Sequence, residues 1–334
     1  MSAGRKYMNQ IKRLKKELIV AAVSVMIAAV SLTSATYAWY VANNTVKATT
    51  STISAKTNGF ILQIAKLSEG AQHGGEQKSL EAFTTGSTLS PSSTDDLTNW
   101  YVCQSWDNQG FVTDYSIPSF ETGIEAKPGN YKINRKDYYA FIRSDYIVYT
   151  ITSTGKANVY LDASDGFPVE ITTKNGSGSK TVTDSMRIAI TTQAIGADGK
   201  TPIGAETLRI VYAKDNEIGK GNDSTAIDGW TSIHNDGGVP ALKTVSYPYI
   251  YGNHYIDQRS TGSKNWAATK DGDNFTVPDN SEAIAENVGY DGIVVHVYIW
   301  MEGTDADCVN GKSVEDDPST YDVTLKLAGV ASGN

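Results

Sequence analysis

Apolar and polar residues alternate with a period of two along much of the chain after residue 58. The clearest run is Ile293 to Met301, where Ile293, Val295, Val297, Ile299 and Met301 fall on one face. Tyr321 to Leu327 places Val323, Leu325 and Leu327 on one face, and Phe60, Leu62 and Ile64 alternate with Ile61, Gln63 and Ala65. Such alternation marks half-buried strands. Val169 to Thr173, Met186 to Thr192 and Leu208 to Ala213 are β-branched runs that read as further strands. Tyr146 to Ser153 and Ala157 to Leu161, joined by Thr154-Gly155-Lys156, read as a hairpin. One short helix is predicted at Ser281 to Asn287, where Asp279 and Glu282 stand at capping-box spacing. Three stretches read as loops or insertions: Ser68 to Asn99, Gly-rich Ala194 to Ala205, and Lys214 to Asn280. Helical patterns do not separate the strands, which disfavours a parallel α/β sheet. The expected fold is all-β: an antiparallel, jelly-roll-like β-sandwich with long insertions near 68–99 and 214–280.

One segment breaks the pattern. Leu18 to Ala38 carries no charge over 21 residues and follows a segment with six basic residues and one acid. The whole chain has 334 residues and a net charge of -8, so everything after that basic segment carries -13. A basic start, an apolar run and a small-residue site together make a secretory signal peptide. Cleavage is expected after Thr36-Tyr37-Ala38, before Trp39. The alternative is an uncleaved membrane anchor with a cytoplasmic N-terminus. Either way the rest of the chain is expected outside the cytoplasm, touching a membrane only through its N-terminal segment. The expected organisation is a signal helix or anchor over 1–38, an extended segment over 39–58, and the sandwich over 59–334.

The stretch ATYAWYVANNTVKATTSTISAKT, Ala35 to Thr57, carries Thr36, Tyr37, Ala38, Trp39 and Tyr40 at the expected cleavage site. It resembles the SipW-dependent signal peptides of Gram-positive bacteria, the class that serves TasA- and camelysin-like surface and biofilm-matrix proteins. IWMEGTDADC, Ile299 to Cys308, resembles a strand-and-loop ending of secreted proteins of that class. The resemblance implies an exported cell-surface or extracellular-matrix protein, structural rather than enzymatic: a fibre or appendage subunit. Its partners would be other copies of itself or related surface subunits, with a signal peptidase acting during export. It also implies assembly by strand addition, in which a mature N-terminus donates a strand to a neighbour's sheet edge. The candidates for that contact are Trp39, Val41, Val46 and Ile53. The alternative is an ordinary first strand in its own sheet, which satisfies an edge equally well.

The remaining chemistry is sparse. A pI near 5.1 argues against nucleic acid as a partner. The four histidines, His73, His234, His254 and His296, form no HExxH pair, and no GxSxG elbow is present. No catalytic residue and no cofactor is expected. Ala306 to Ser313 ends in Gly-Lys-Ser but lacks the first glycine of a phosphate-binding loop and contains Asp307. Glu302, Asp305 and Asp307 are the candidate ligands of a loop calcium site, against the default of solvated turn acids. Cys103 and Cys308 are a candidate disulfide, which would close a loop of about 205 residues and contribute about 5 kcal/mol in the chain-entropy model. Two separate buried thiols are the alternative. Aromatics gather at Trp100 to Trp106 and Tyr247 to Tyr255. They read either as packing or as the sugar-stacking loops of an adhesin, centred on Trp106 and Tyr251.

Overall fold

The alternating residues meet in one core. The structure, a computed structural model, describes residues 47–57, 62–71, 73, 80–83, 89–123, 126–175, 180–215, 229–259, 262–272, 274–309 and 320–332. These belong to one unit, Asn44–Asn334.

The chain begins with β1 (Lys47–Thr57), β2 (Leu62–Lys66), β3 (Leu80–Phe83), β4 (Pro91–Ser93), β5 (Tyr101–Trp106) and β6 (Val112–Ser116). It continues through β7 (Asn130–Ile133), β8 (Lys136–Tyr139), β9 (Ile142–Thr150), β10 (Ala157–Asp162) and β11 (Val169–Asn175). A short helix, α1 (Lys180–Ser185), precedes β12 (Met186–Ile195) and β13 (Pro202–Ala213). Then come β14 (Thr231–Asp236), β15 (Val239–Thr244), β16 (Tyr249–Tyr251), β17 (Ala267–Asp271), β18 (Asn274–Thr276) and β19 (Ala285–Val288). The long strands β20 (Ile293–Glu302) and β21 (Thr320–Ala331) close the order.

Two large sheets result. An eight-stranded sheet runs β18-β17-β10-β21-β1-β3, with β11 also on β21 and β19 also on β10. A nine-stranded sheet runs β16-β13-β12-β20-β4-β5-β6, with β9 on β20 and β2 on β9. Leu62, Val148, Ile190, Ile210 and the Val295-Val297-Ile299-Met301 row from the second sheet share one core with Val159, Leu161, Val323, Leu325 and Leu327 from the first. The protein is therefore all-β, with two sheets facing each other. The pairing is mixed rather than purely antiparallel: β1 with β21, β10 with β17, β13 with β16 and β20 with β4 run parallel.

Three local expectations are corrected. β9 and β10 do not form a hairpin; β9 pairs with β2 and β20, whereas β10 pairs with β17, β19 and β21. Tyr146 and Val148 face Ala157, Val159 and Leu161 across the core, so Ile151 to Lys156 is an arch between the sheets. The Thr150 hydroxyl lies 3.2 Å from the Thr152 carbonyl and 3.1 Å from that of Gly155, fastening the arch from inside. The predicted helix at Ser281 to Asn287 is instead an extended segment leading into β19. Ala283, Ile284, Ala285 and Val288 are all buried, and the Ile284 amide donates to the Val159 carbonyl at 2.7 Å. Pairing with β10 outweighs the local capping signal there. The expected loop at Ala194 to Ala205 shrinks to a turn, because β12 and β13 stay paired as far as Ile195 and Pro202. The stretches near 68–99 and 214–280 likewise carry short strands, including β3 and β4 in the first and β14 through β18 in the second.

Candidate functional site

β1 is Thr-rich, KATTSTISAKT, as suits an extended β-branched segment. It pairs with β21 in parallel from Lys47 opposite Thr320 to Thr57 opposite Gly329, with one register shift between Ala48 and Thr50. On its other side, among the described residues, Thr50 to Ile53 pair with β3. Ile53 stands opposite Leu325 in β21 and Leu80 in β3, so this donor-strand candidate lies mid-strand in its own sheet. Trp39, Val41 and Val46 lie outside the described residues, as do Thr36, Ala38 and the rest of the Leu18 to Ala38 segment. Among the described residues, no helix is long and apolar enough to cross a membrane.

The calcium candidates sit in a buried ionic knot at the end of β20. Glu302 is 1 % exposed. Its carboxyl accepts from the Trp300 indole N–H at 3.0 Å and the Thr304 amide at 3.2 Å, and it is hydrogen-bonded by Ser93. Burial pushes Glu302 above the ordinary carboxylate range, against the pull of Ser93, Trp300 and Arg187. Asp305 is held by the Arg187 guanidinium, and both side chains are buried. Burial raises Asp305 while Arg187 opposes the shift. Burial also pulls on Arg187, but the charges of Asp305 and Glu302 more than offset it, so the guanidinium stays protonated. It stacks over Trp230 at 4.3 Å and reaches the carbonyls of Asp184 and Met186. Asp307 donates its amide to Asp305 at 2.8 Å. The carboxyls of Glu302 and Asp305 thus face protein donors. Among the described residues, no three His, Cys, Asp or Glu side chains converge in a way that could hold a metal ion.

The same knot fixes the 229–247 insertion to the end of the second sheet. The Thr304 hydroxyl donates to the Thr231 carbonyl at 2.7 Å, and the Ile233 amide donates to Ser93 Oγ at 2.8 Å. The Ser246 amide and hydroxyl both donate to Asp95, at 2.7 and 2.6 Å. Arg187 is the residue that the sequence reading missed. Its one visible signal is a lone charge in the apolar run MRIAITT.

Cys103 and Cys308 are both buried and carry thiols in this structure. Cys103 stands opposite Tyr115 in the β5–β6 pair. The Tyr115 ring lies over Gly303, where an added Cβ would sit 2.9 Å from the Tyr115 hydroxyl. Cys308 closes the turn after Gly303, its amide donating to the Asp305 carbonyl at 3.1 Å. Burial, with Asp305, Cys103 and Glu302 nearby, pushes the Cys308 thiol far up.

The aromatic stretches are mostly interior. Trp100 stacks on Phe141 with centroids 4.3 Å apart and meets Trp300 edge-on at 5.6 Å. Tyr101, Tyr247 and Tyr249 are buried, and Tyr249 stacks on Trp230. Trp106 and Tyr251, the adhesin candidates, are half-buried. A separate cavity of about 460 Å³ lies at the β12–β13 turn, lined by Glu69, His73, Asp198, Lys200 and Asp291 among others. Its Asp198 serves the turn itself: the Thr201 hydroxyl and the amides of Lys200 and Thr201 hold its carboxyl down at about 2.

Fold and site together define a two-sheet all-β protein whose acidic candidates form a structural knot. The chain matches no family model, no curated protein and no solved structure.

Proposed function

We propose that the protein is an exported cell-surface or matrix component that assembles with copies of itself by exchanging its first strand. In this reading Leu18 to Ala38 is a signal helix removed before Trp39, the sandwich is jelly-roll-like, and the mature chain is a structural fibre subunit.

The observation that carries the reading is the position of β1. It is the first described strand, and the next strand in the chain, β2, lies in the opposite sheet. Its main bond is a parallel ladder with β21, about 270 residues away in sequence. A strand tethered at one end can leave its place and be replaced by the same strand of another copy, without threading the chain through a loop. The exchanged pair keeps every main-chain hydrogen bond, so exchange costs little enthalpy. Removing residues 39–57 tests the reading. Electron microscopy should show that filaments are lost while circular dichroism still reports a β-rich fold. Filaments that persist unchanged in the truncated protein defeat it.

A further inference from the structure

The β12–β13 ribbon leaves the second sheet at Gln193, which stands opposite Val294 and ends the β12–β20 ladder. Among the described residues, Pro202 to Leu208 of β13 pair with β12 alone, because β16 meets β13 only at Val211 to Ala213. The ribbon has a register shift at this root, between Thr192 and Ala194, and Gly204 across from it is left-handed at φ +73°. Its tip, Ile195 to Lys200, forms one wall of the 460 Å³ cavity. His296 lies beneath the root, 2 % exposed, with an oxygen at each ring nitrogen. Nδ1 is 2.7 Å from Asp145 Oδ1, and Nε2 is 3.1 Å from Gln193 Oε1. Burial raises the Asp145 carboxyl, but the His296 hydrogen bond and the Arg143 charge hold it below its ordinary range, so it only accepts. The Gln193 amide is oriented from its other end: its NH2 donates to the Gly204 carbonyl at 2.8 Å, which turns its oxygen to the ring. Both ring nitrogens therefore face acceptors, and only the imidazolium form donates from both.

We propose that His296 is a pH-operated latch on the ribbon: as an imidazolium it holds Gln193 and the ribbon's root closed, and the loss of one proton releases them. The proton leaves from Nε2, since Nδ1–H faces the charged Asp145. The bare nitrogen then confronts the Gln193 oxygen, lone pair against lone pair. If the Gln193 amide turns over to donate to the ring, its oxygen confronts the Gly204 carbonyl instead. Either way one of the two bonds that tie β20 through Gln193 to β13 is lost.

The direction follows from proton counting. The closed form carries one proton more than the open form, so rising pH favours opening. Three other charged or titratable groups stand around the ring. Arg143 on β9 pairs with Asp145, and the acid's charge holds the guanidinium protonated against the pull of burial. Tyr298 on β20 itself keeps its proton, because burial and the Glu206 charge push its phenol far up. Glu206 on β13 accepts from the hydroxyl of Thr191, the register partner of His296 on β12. The latch thus joins β9, β20, β12 and β13 at the one place where the ribbon loses its support from β20.

The full-length chain, labelled with ¹⁵N-histidine, is followed by long-range proton–nitrogen NMR from about pH 5 to pH 9, the range that spans histidine titration. The His296 signals are those missing from His296→Gln or, if that variant fails to fold, those displaced in Gln193→Met. Both ring nitrogens should be protonated at the acid end, and Nε2 should become bare as pH rises while Nδ1 keeps its proton. In step with that change, amide exchange at Ile203 to Thr207, corrected for the intrinsic effect of pH, should speed up at least ten-fold, whereas exchange at Ile188 to Ile190 should not. In Gln193→Met the same ribbon amides should exchange fast at every pH, because the bridge to Gly204 is gone. A His296 ring whose protonation does not change over this range overturns the proposal, as does ribbon exchange that does not follow the ring or that keeps its pH step in Gln193→Met.

Discussion

Arg187 and Asp305 form a buried ion pair that ties the start of β12 to the turn after β20. Each side chain is 2 % exposed, so neither charge can fall back on water if the other is lost. Asp305→Ala should therefore destabilise the protein by about 3–5 kcal/mol, because it strands a buried guanidinium. The expected measurement is a lower urea midpoint at unchanged slope. Calcium should not rescue the variant, nor raise the melting temperature of the parent protein, because Glu302 and Asp305 are already occupied by protein donors. A calcium-dependent rise in the parent would restore the metal reading of Glu302, Asp305 and Asp307.

Gly129 should tolerate no side chain. Its φ is +79°, and an added Cβ would fall 2.2 Å from the Phe141 carbonyl oxygen. Ala140 donates to the Gly129 carbonyl at 2.9 Å, so the two segments cannot simply separate. Gly129→Ala is expected to cost roughly 2–4 kcal/mol, part from the left-handed backbone and part from the displaced carbonyl. Thermal unfolding checks this, with Gly123→Ala for comparison. Gly123 has a positive φ of 126° and nothing within 4 Å of its would-be Cβ, so its variant should lose only the backbone part.

Substitution at Arg135 should work the other way. Ile133 pairs with Lys136, leaving Asn134 and Arg135 as a two-residue hairpin loop, with φ of 50° and 66°. Both positive values define a turn whose second position favours glycine. Arg135→Gly relieves that strain but gives the unfolded chain more freedom. A net gain of about 0.5 kcal/mol is expected, read as a small rise in the denaturation midpoint.

Asp145 and His296 predict an acid-sensitive sheet. His296 is buried on β20, and its Nδ1–H donates to Asp145 on β9 at 2.7 Å. Arg143 adds an ion pair at 2.9 Å. Burial pushes the Asp145 carboxyl up, but the His296 hydrogen bond and the Arg143 charge outweigh it, and its pKa ends below the ordinary value. The folded state thus binds this proton more weakly than the unfolded chain. The stabilisation is complete above about pH 4 and is lost as pH falls through the lower native value. Asp145→Asn should therefore differ most from the parent at neutral pH and converge with it only once the pH has fallen below the lowered native value of Asp145. A difference in urea midpoint that stays constant over that range would show that Asp145 does not titrate in this way.

The strand faces were legible because burial imposes a period of two whatever the partner. Val295, Val297 and Ile299 could be assigned to a core face without knowing what lay opposite. Connectivity was not legible in the same way. Tyr146 to Leu161 has one local pattern whether its two strands share a sheet or face each other across a core. Only the distant partners, β20 for one and β21 for the other, decide between hairpin and arch. The knot was legible in part. Glu302 and Asp305 stood out as acids close in sequence, but the cation that sets their role lies 118 residues from Asp305. Nothing local in the turn sequence TDADC, Thr304 to Cys308, distinguishes an acid bound to solvent from one bound to a buried guanidinium. The parallel β1–β21 ladder was hidden for the same reason, since neither strand carries a local sign of the other.

That ladder supplies the sharpest test of strand exchange. Ser54 and Lys326 are register partners in β1 and β21. Replacing both with cysteine, Ser54→Cys and Lys326→Cys, in a Cys103→Ser/Cys308→Ser background allows β1 to be locked to its own chain by oxidation. Lys326 also reaches Glu170 on β11, and loss of that partly exposed ion pair should cost less than about 1 kcal/mol. If copies assemble by exchanging β1, protein oxidised while dilute and monomeric should stay monomeric on concentration. Reduction should then restore filaments from the same sample. If β1 is exchanged, oxidation after assembly should link neighbouring chains, giving covalent ladders on a denaturing gel. Filaments that form equally well from the locked monomer, or oxidised filaments that dissolve to single chains, would show that β1 stays with its own sheet and that copies meet through another surface.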